Sequence, residues 1–236
     1  METVVLTLRV NTYVSRQRVQ LARSFSGLVD DLASALAKPL PAEVAHALMA
    51  PRPRRRWPEG STAAQARPAA GLLLVFPLEA QAHIVLTLRA DTLDRHGGQI
   101  SLPGGVIEPG EAFEHAALRE AHEEIAVAAS EVRILGALTP IDIPVSGFRL
   151  HPIVGVSDTR PAFAPADGEV ARILDVPLDD LMAPGAVIST SRERDGHLVV
   201  APAFRVAGVE IWGATAMVLA EFLVVLGWTG ASRASD

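Results

Sequence analysis

Between Glu111 and Glu124 the chain reads EAFEHAALREAHEE, a run that sets several carboxylates around a single arginine. At 3.6 residues per turn, Glu120 and Glu124 lie one turn apart on the same helix face, with Glu123 close beside them. Leu118, Ala121 and Ile125 point the other way, towards a core. Like charges at this spacing destabilise a bare helix by roughly a few tenths of a kcal/mol per pair. They also occupy the C-terminal end, where the helix dipole disfavours negative charge. Two local penalties in one place point to a function that offsets them. A hard divalent cation, Mg²⁺ or Mn²⁺, does so, because it takes carboxylate oxygens and keeps waters for reaction. Behind such an ion a phosphate is the natural partner.

The surrounding pattern must position this helix. It spans about 113–125, and Pro109-Gly110 is the turn ahead of it. Apolar, branched runs at 70–78 and 83–89 read as strands joined by a polar turn. A short strand at 99–102 leads into Pro103-Gly104-Gly105 as a loop, and 132–138 and 149–157 are further strands. A short helix follows at 178–182, stopped by Pro184-Gly185. Then come a hairpin, 198–206 and 209–212, and a C-terminal helix over about 214–226 that is apolar except for Glu221. Mixed strands with helices at both ends predict an α/β fold, a sheet between helical layers. His122 falls at an unconstrained, exposed position, and His151 ends a strand.

Composition sets the outer limits. At 236 residues one domain plus an N-terminal extension is expected. The net charge of −6 argues against a nucleic-acid surface. There is no cysteine, so disulfides and thiolate metal sites are excluded, as suits a reducing interior. No apolar run reaches the roughly 18 residues of a membrane span. The expected setting is therefore cytoplasmic, with a small-molecule partner and a monomer or homodimer. Residues 3–29 lack acidic groups and carry arginines, which leaves the mitochondrial matrix as the alternative.

The first part of the chain differs in character. Leu21, Phe25, Leu28, Leu32 and Leu36 form a helical stripe ended by Pro39 and Pro41, built to pack on the catalytic domain or on another subunit. PRPRRRWPEG follows as a Pro/Arg linker containing Trp57. It is read either as a solvated loop or as an attractor for an anionic group. The division expected is 1–67 for the extension and linker, 68–229 for the catalytic domain and 230–236 for a tail.

The segment GVIEPGEAFEHAALREAHEEIAV resembles the Nudix box, G-x5-E-x7-R-E-U-x-E-E-x-G-U. Gly105, Glu111, Arg119, Glu120, Glu123, Glu124 and Val127 match it. Ala121 is a small choice for the first aliphatic position. Ala126 replaces the final glycine, so the helix is expected to end differently or at some cost. The resemblance implies a Nudix-type α/β/α sandwich with a mixed sheet, and metal-dependent cleavage of a diphosphate. It implies Glu120 and Glu124 as metal ligands, Glu123 as a further ligand or one acting through water, and the Gly105 carbonyl completing the set. Arg119 would orient the carboxylates through Glu111. The general base is Glu123 or Glu169, the latter in PADGEVARILDVPL.

Upstream, LTLRADTLDRHGGQISLPGG looks like the coenzyme A diphosphatase branch of that family, through Leu86, Thr87, Arg89, His96, Gly98, Gln99, Pro103, Gly104 and Gly105. Leu102 stands where Phe is common. The likeness extends over about 69–228. It implies cleavage of coenzyme A or acyl-coenzyme A to 3′,5′-ADP and the 4′-phosphopantetheine part. Arg89 and Arg95 are candidates for its phosphates, since guanidinium groups match phosphate oxygens. His96 is a phosphate donor or a loop support, and Gln99 orients the loop or a pantetheine amide. The alternatives are a diphosphatase for ADP-ribose or another nucleoside diphosphate derivative, and a silent nucleotide-binding module.

Overall fold

The computed structural model describes residues 24–90, 98–194 and 197–230. In chain order the first elements are helices α1 (Phe25–Leu36) and α2 (Ala42–Met49), then strands β1 (Arg67–Leu78), β2 (Gln81–Arg89), β3 (Ile100–Ser101) and β4 (Gly104–Val106). Helix α3 (Phe113–Ile125) precedes β5 (Arg133–Ala137), β6 (Ile141–Ile143), β7 (Phe148–Val156) and β8 (Val170–Pro177). Helix α4 (Leu178–Met182), strands β9 (Val187–Arg194), β10 (His197–Val206) and β11 (Val209–Trp212), and helix α5 (Gly213–Val225) complete the chain.

Strand β1 is the axis. It is buried continuously from Ala69 to Phe76, and its twofold alternation feeds two different layers. Ala70, Leu72, Leu74 and Phe76 pack with Ala116, Ala117, Ala121 and Ile125 of α3. Leu73 and Val75 join Val29 and Leu32 of α1, Phe204, Ile211 and the apolar α5 on the opposite face. The small alanines of α3 let that helix lie close on the sheet. The result is an α/β fold whose mixed sheet is covered by helices on both faces, with α1 a part of the second layer.

The pairing explains where the site falls. β1 runs parallel to β7 and antiparallel to β2. The β1–β2 pairing covers only the turn end, Val75↔Ile84 to Leu78↔Gln81. Beyond it the strands diverge. β3 then takes the freed edge of β2, at Thr87↔Ser101, and β4 that of β1, at Gly71↔Gly104. β8 pairs the other edge of β2, while β5 and β6 pair β7. Gly104 and Gly105 are thus strand, not the loop expected. A Cβ on Gly104 would overlap the Ala70 carbonyl oxygen and the Gly71 Cα, so only glycine permits this close ladder.

Other expectations are corrected in the same way. His151 lies inside β7, not at its end, and its ring stacks on Phe113 at 3.8 Å between centroids. Helix α2 is an additional element, fitted between Pro41 and the linker. β6, β8 and β9 are also additional, and the hairpin β10–β11 is completed by β9 into a second sheet of order β11-β10-β9. Leu21 lies outside the described residues, and the rest of its stripe packs on this chain's own core through Val29, Leu32 and their half-buried neighbours. Among the described residues no helix is long and apolar enough to cross a membrane.

Helix α5 is buried from Thr215 to Leu223, and this stretch includes Glu221, which is wholly buried. A carboxylate is tolerated there only because it is fully hydrogen-bonded. Its Oε1 accepts from Ala42 N at 3.0 Å and from Thr139 Oγ1 at 2.6 Å. Its Oε2 accepts from Thr139 N at 3.0 Å and lies 3.0 Å from His46 Nε2. One side chain therefore ties α2 and the β5–β6 connection to the core.

Candidate active site

The divergence of β1 and β2 brings Pro103-Gly104-Gly105 under the C-terminal half of α3. Arg119 is the hub of what gathers there. Its Nε and Nη2 donate to Glu111 Oε1 and Oε2 at 2.9 and 3.0 Å, a bidentate pair. Its Nη1 donates to Glu120 Oε1 at 2.8 Å, and its Nη2 also donates to the Val106 carbonyl at 3.1 Å. The hydrogen bonds from Arg119 hold the Glu111 carboxyl below the usual range. Lysine cannot reproduce this fork. Arg119→Lys should therefore lower kcat by roughly ten- to a hundredfold with KM changed less, since it misplaces Glu120. Steady-state kinetics beside a melting curve checks this, and wild-type kcat would contradict it.

Glu120 lies against Gly105 so closely that a Cβ there would overlap its carboxylate. Glu124 is buried, 5 % exposed. Its Oε2 accepts from Gly104 N at 3.1 Å, and its Oε1 lies 3.5 Å from Arg89 Nη1. Burial pushes Glu120 up by more than Arg119 pulls it down. Burial likewise drives Glu124 up to about 7 against the pull of Gly104 N and Arg89. These two carboxylates are held where their ionised forms are costly, which favours a cation beside them.

Glu123, expected as a further ligand or as one acting through water, is set apart from Glu120 and Glu124 by its exposure. Its side chain is 56 % exposed and lies 3.3 Å from Arg119 Nη1. Among the described residues no three His, Cys, Asp or Glu side chains converge into a group that could hold a metal ion. Two oxygen-donating carboxylates and the adjacent Gly105 backbone fit an ion that takes few protein ligands and keeps waters, as Mg²⁺ and Mn²⁺ do. They do not fit a closed protein cage.

Helix α3 ends at Ala126 in the left-handed region, φ 60° and ψ 22°, so alanine adopts the glycine conformation rather than ending the helix differently. The loop before β8 fastens this end. Ala166 N donates to the Glu124 carbonyl at 2.9 Å and Ala164 N to that of Ile125 at 3.1 Å. The same loop carries Glu169, exposed in the turn that opens β8, and its charge contributes to the upward shift of Glu124. Ala126→Gly should raise stability by about 0.5–1 kcal/mol, the left-handed penalty less the added freedom of the unfolded chain. Chemical denaturation measures this, and a loss of stability would contradict it.

A cavity of about 820 Å³ opens from this point. Its near wall includes Arg89, Gln99, Gly104 and Gly105. Leu102, Ile143, Val145, Phe148, Leu150 and Met217 form an apolar side. Arg54, Arg55 and Trp57 of the Pro/Arg linker, with Arg192 and Trp212 of the second sheet, form the remainder. Arg89 is the last residue of β2, so its strand-end position and its nearness to Glu124 hold together. Arg95 and His96 lie outside the described residues. Arg192 and Trp212 carried no signal in the sequence, because only the β9–β11 sheet brings them to the linker. His122 is exposed, with Nδ1 3.2 Å from the Val127 carbonyl oxygen.

A family model for the NUDIX domain matches residues 66–193. The chain is 31% identical over 164 residues to the Nudix hydrolase NudL of Citrobacter koseri, covering 68% of this chain and 84% of the relative. It is 37% identical over 139 residues to NudL of Yersinia pestis, 58% of this chain and 68% of the relative. A solved Nudix hydrolase from M. Smegmatis, RenU, is 26% identical over 49% of this chain and 73% of that one, with a TM-score of 0.43. The chain belongs to the Nudix domain family. Its class is that of hydrolases acting on diphosphate bonds of small molecules, which generally use divalent ions such as Mg²⁺ or Mn²⁺.

Proposed function

We propose that this hydrolase cuts the diphosphate linkage of coenzyme A or acyl-coenzyme A, giving 3′,5′-ADP and 4′-phosphopantetheine or its acyl form. One observation carries the proposal. The segment from Leu86 to Gly105, similar to that of coenzyme A diphosphatases, supplies Arg89, Gln99, Gly104 and Gly105 to a cavity roomy enough for groups on both sides of a diphosphate.

A diphosphate is strongly anionic and repels an attacking water. A divalent ion, when bound, would supply charge neutralisation and an activated water. Glu120, Glu124 and the Gly105 carbonyl would hold it. Arg119, itself fixed by Glu111, keeps Glu120 in place. Arg89 faces the phosphate oxygens, where a guanidinium is worth most in a half-buried wall. Attack forms a new oxygen–phosphorus bond, and the bridging oxygen leaves with the second phosphoryl group. The water's proton passes to Glu169, because Glu123 is engaged by Arg119 whereas Glu169 is exposed and close enough for Glu124 to sense its charge. Glu169→Gln should lose the acidic limb of the pH–kcat profile, and an unchanged profile would transfer the role to Glu123. The bacterial relatives support a cytoplasmic setting.

The direct test incubates the protein with coenzyme A, acyl-coenzyme A, ADP-ribose and other nucleoside diphosphate derivatives in Mg²⁺ and in Mn²⁺, and identifies products by mass. The expected result is 3′,5′-ADP and 4′-phosphopantetheine. Preferential cleavage of ADP-ribose would overturn the substrate, and tight binding without cleavage would indicate a silent module.

A further inference from the structure

The far wall of the cavity has a chemistry that diphosphate cleavage does not use. It combines two indoles, Trp57 and Trp212, with the guanidinium groups of Arg54, Arg55 and Arg192. In a chain of net charge −6 this is a local reversal of sign. The Arg192 guanidinium lies over the Trp212 ring, 4.7 Å from its centroid, and its Nη2 donates to Glu210 at 2.8 Å. Among the described residues its buried Nε has no hydrogen-bond partner.

The wall is also built, not incidental. The linker is pinned twice, both times ahead of Arg54. Upstream, His46 is held by the buried Glu221. Just before Arg54, Arg52 pairs with Val200 of β10 through two main-chain bonds, Arg52 N to Val200 O at 2.8 Å and Val200 N to Arg52 O at 2.9 Å. In the same sheet Val199 is the register partner of Arg192. The prolines at 51, 53 and 58 stiffen the intervening backbone. So two independent anchors present Arg54, Arg55 and Trp57 next to Arg192 and Trp212, on the cavity that reaches Gly104 and Gly105.

We infer that this wall is a binding subsite for a phosphorylated nucleoside, in which an indole stacks on the base and the linker arginines hold a phosphate other than the scissile pair. Stacking suits Trp and is tolerant of base identity, whereas the paired arginines supply selectivity for the extra phosphate. The inference rests on the proposed coenzyme A reading, in which the phosphate is the one on the 3′ position. It goes further, because it makes residues of the N-terminal extension determinants of substrate choice.

The test separates the subsite from the reading. Binding of adenosine 3′,5′-bisphosphate and of adenosine 5′-monophosphate to the full chain is measured by tryptophan fluorescence and calorimetry. Two of the three tryptophans line the wall, and Trp228, packed on Phe204 at 5.6 Å, supplies a constant background. The bisphosphate is expected to bind about tenfold or more tightly than the monophosphate. That preference should vanish in Arg54→Ala/Arg55→Ala and persist in Arg56→Ala, whose side chain is not part of the cavity wall. Equal affinities, no detectable binding, survival of the preference in the double variant, or its equal loss in Arg56→Ala would each overturn the subsite. Coenzyme A cleavage is followed in parallel. Cleavage without the preference leaves the reading standing and removes the subsite, and the preference without cleavage does the reverse.

Discussion

Glu124→Gln is expected to lower turnover by about a thousandfold or more while making the metal-free protein more stable. The rate loss follows from removing one of the two carboxylates that would hold the ion, so that transition-state charge goes uncompensated. The gain in stability follows from burial. Glu124 is driven up to about 7, against near 4.5 for a glutamate in the unfolded chain. Between these values the folded chain binds more protons than the unfolded one. Stability from this group is thus full below about pH 4.5 and is lost as pH rises through about 7. Glutamine keeps the shape and the acceptor for Gly104 N without the buried charge, so above about pH 7 the variant should gain on the order of 2–3 kcal/mol. Mg²⁺ should reverse the order, stabilising the wild type increasingly with pH, because it binds the ionised form and binds only the folded chain. Melting curves at about pH 6 and 8, with chelator and with Mg²⁺, together with initial rates, check both halves. Wild-type turnover, or a lower melting temperature for the variant in chelator at about pH 8, would contradict the assignment.

Glu221→Leu should be the most damaging single change to stability, costing about 3–5 kcal/mol. It leaves Ala42 N, Thr139 N, Thr139 Oγ1 and His46 without their acceptor at buried and part-buried positions. The pH dependence has the opposite sign to that of Glu124. Burial pushes the Glu221 carboxyl up, but the hydrogen bonds from His46 and Thr139 together outweigh it and hold the group below the usual range. Its contribution is therefore present above the ordinary glutamate range and lost as pH falls through the lowered value. Glu221→Gln, which keeps an acceptor oxygen, should be milder and should flatten this acid-side loss. Urea unfolding of the three proteins at about pH 7 and pH 4 measures it. A leucine variant within about 0.5 kcal/mol of wild type would show that the cluster is not a structural anchor. Because the same cluster holds the linker, limited proteolysis of the leucine variant should cut near 50–60 first.

The acidic helix was legible in the sequence because charge spacing and helix period coincide. The boundaries of α3 and the core direction of Ala121 and Ile125 follow from one strongly patterned segment, whereas the Glu111–Arg119 pairing comes with the Nudix resemblance. Gly104 reads as loop in the sequence because its role depends on Gly71, a strand away, where two glycines allow a close ladder. Glu123 shares the helix face of its neighbours by spacing, yet it turns to solvent and Arg119, since a helical position does not fix a long side chain's rotamer. Helix α2 and strand β9 escape a reading of the sequence because their signals are short and flanked by proline or charge. The far cavity wall is assembled from linker and sheet, and no local pattern contains it. Glu221 was visible as an oddity in an apolar helix, but its four partners were not.

The most direct measurement is anomalous diffraction from crystals soaked in Mn²⁺. A peak within coordination distance of both the Glu120 and Glu124 carboxylates, beside the Gly105 carbonyl and absent from Glu124→Gln crystals, is the predicted result. Density free of any anomalous signal there, in crystals of protein that still cleaves its substrate, would contradict the claim that these carboxylates hold the ion on which diphosphate cleavage depends.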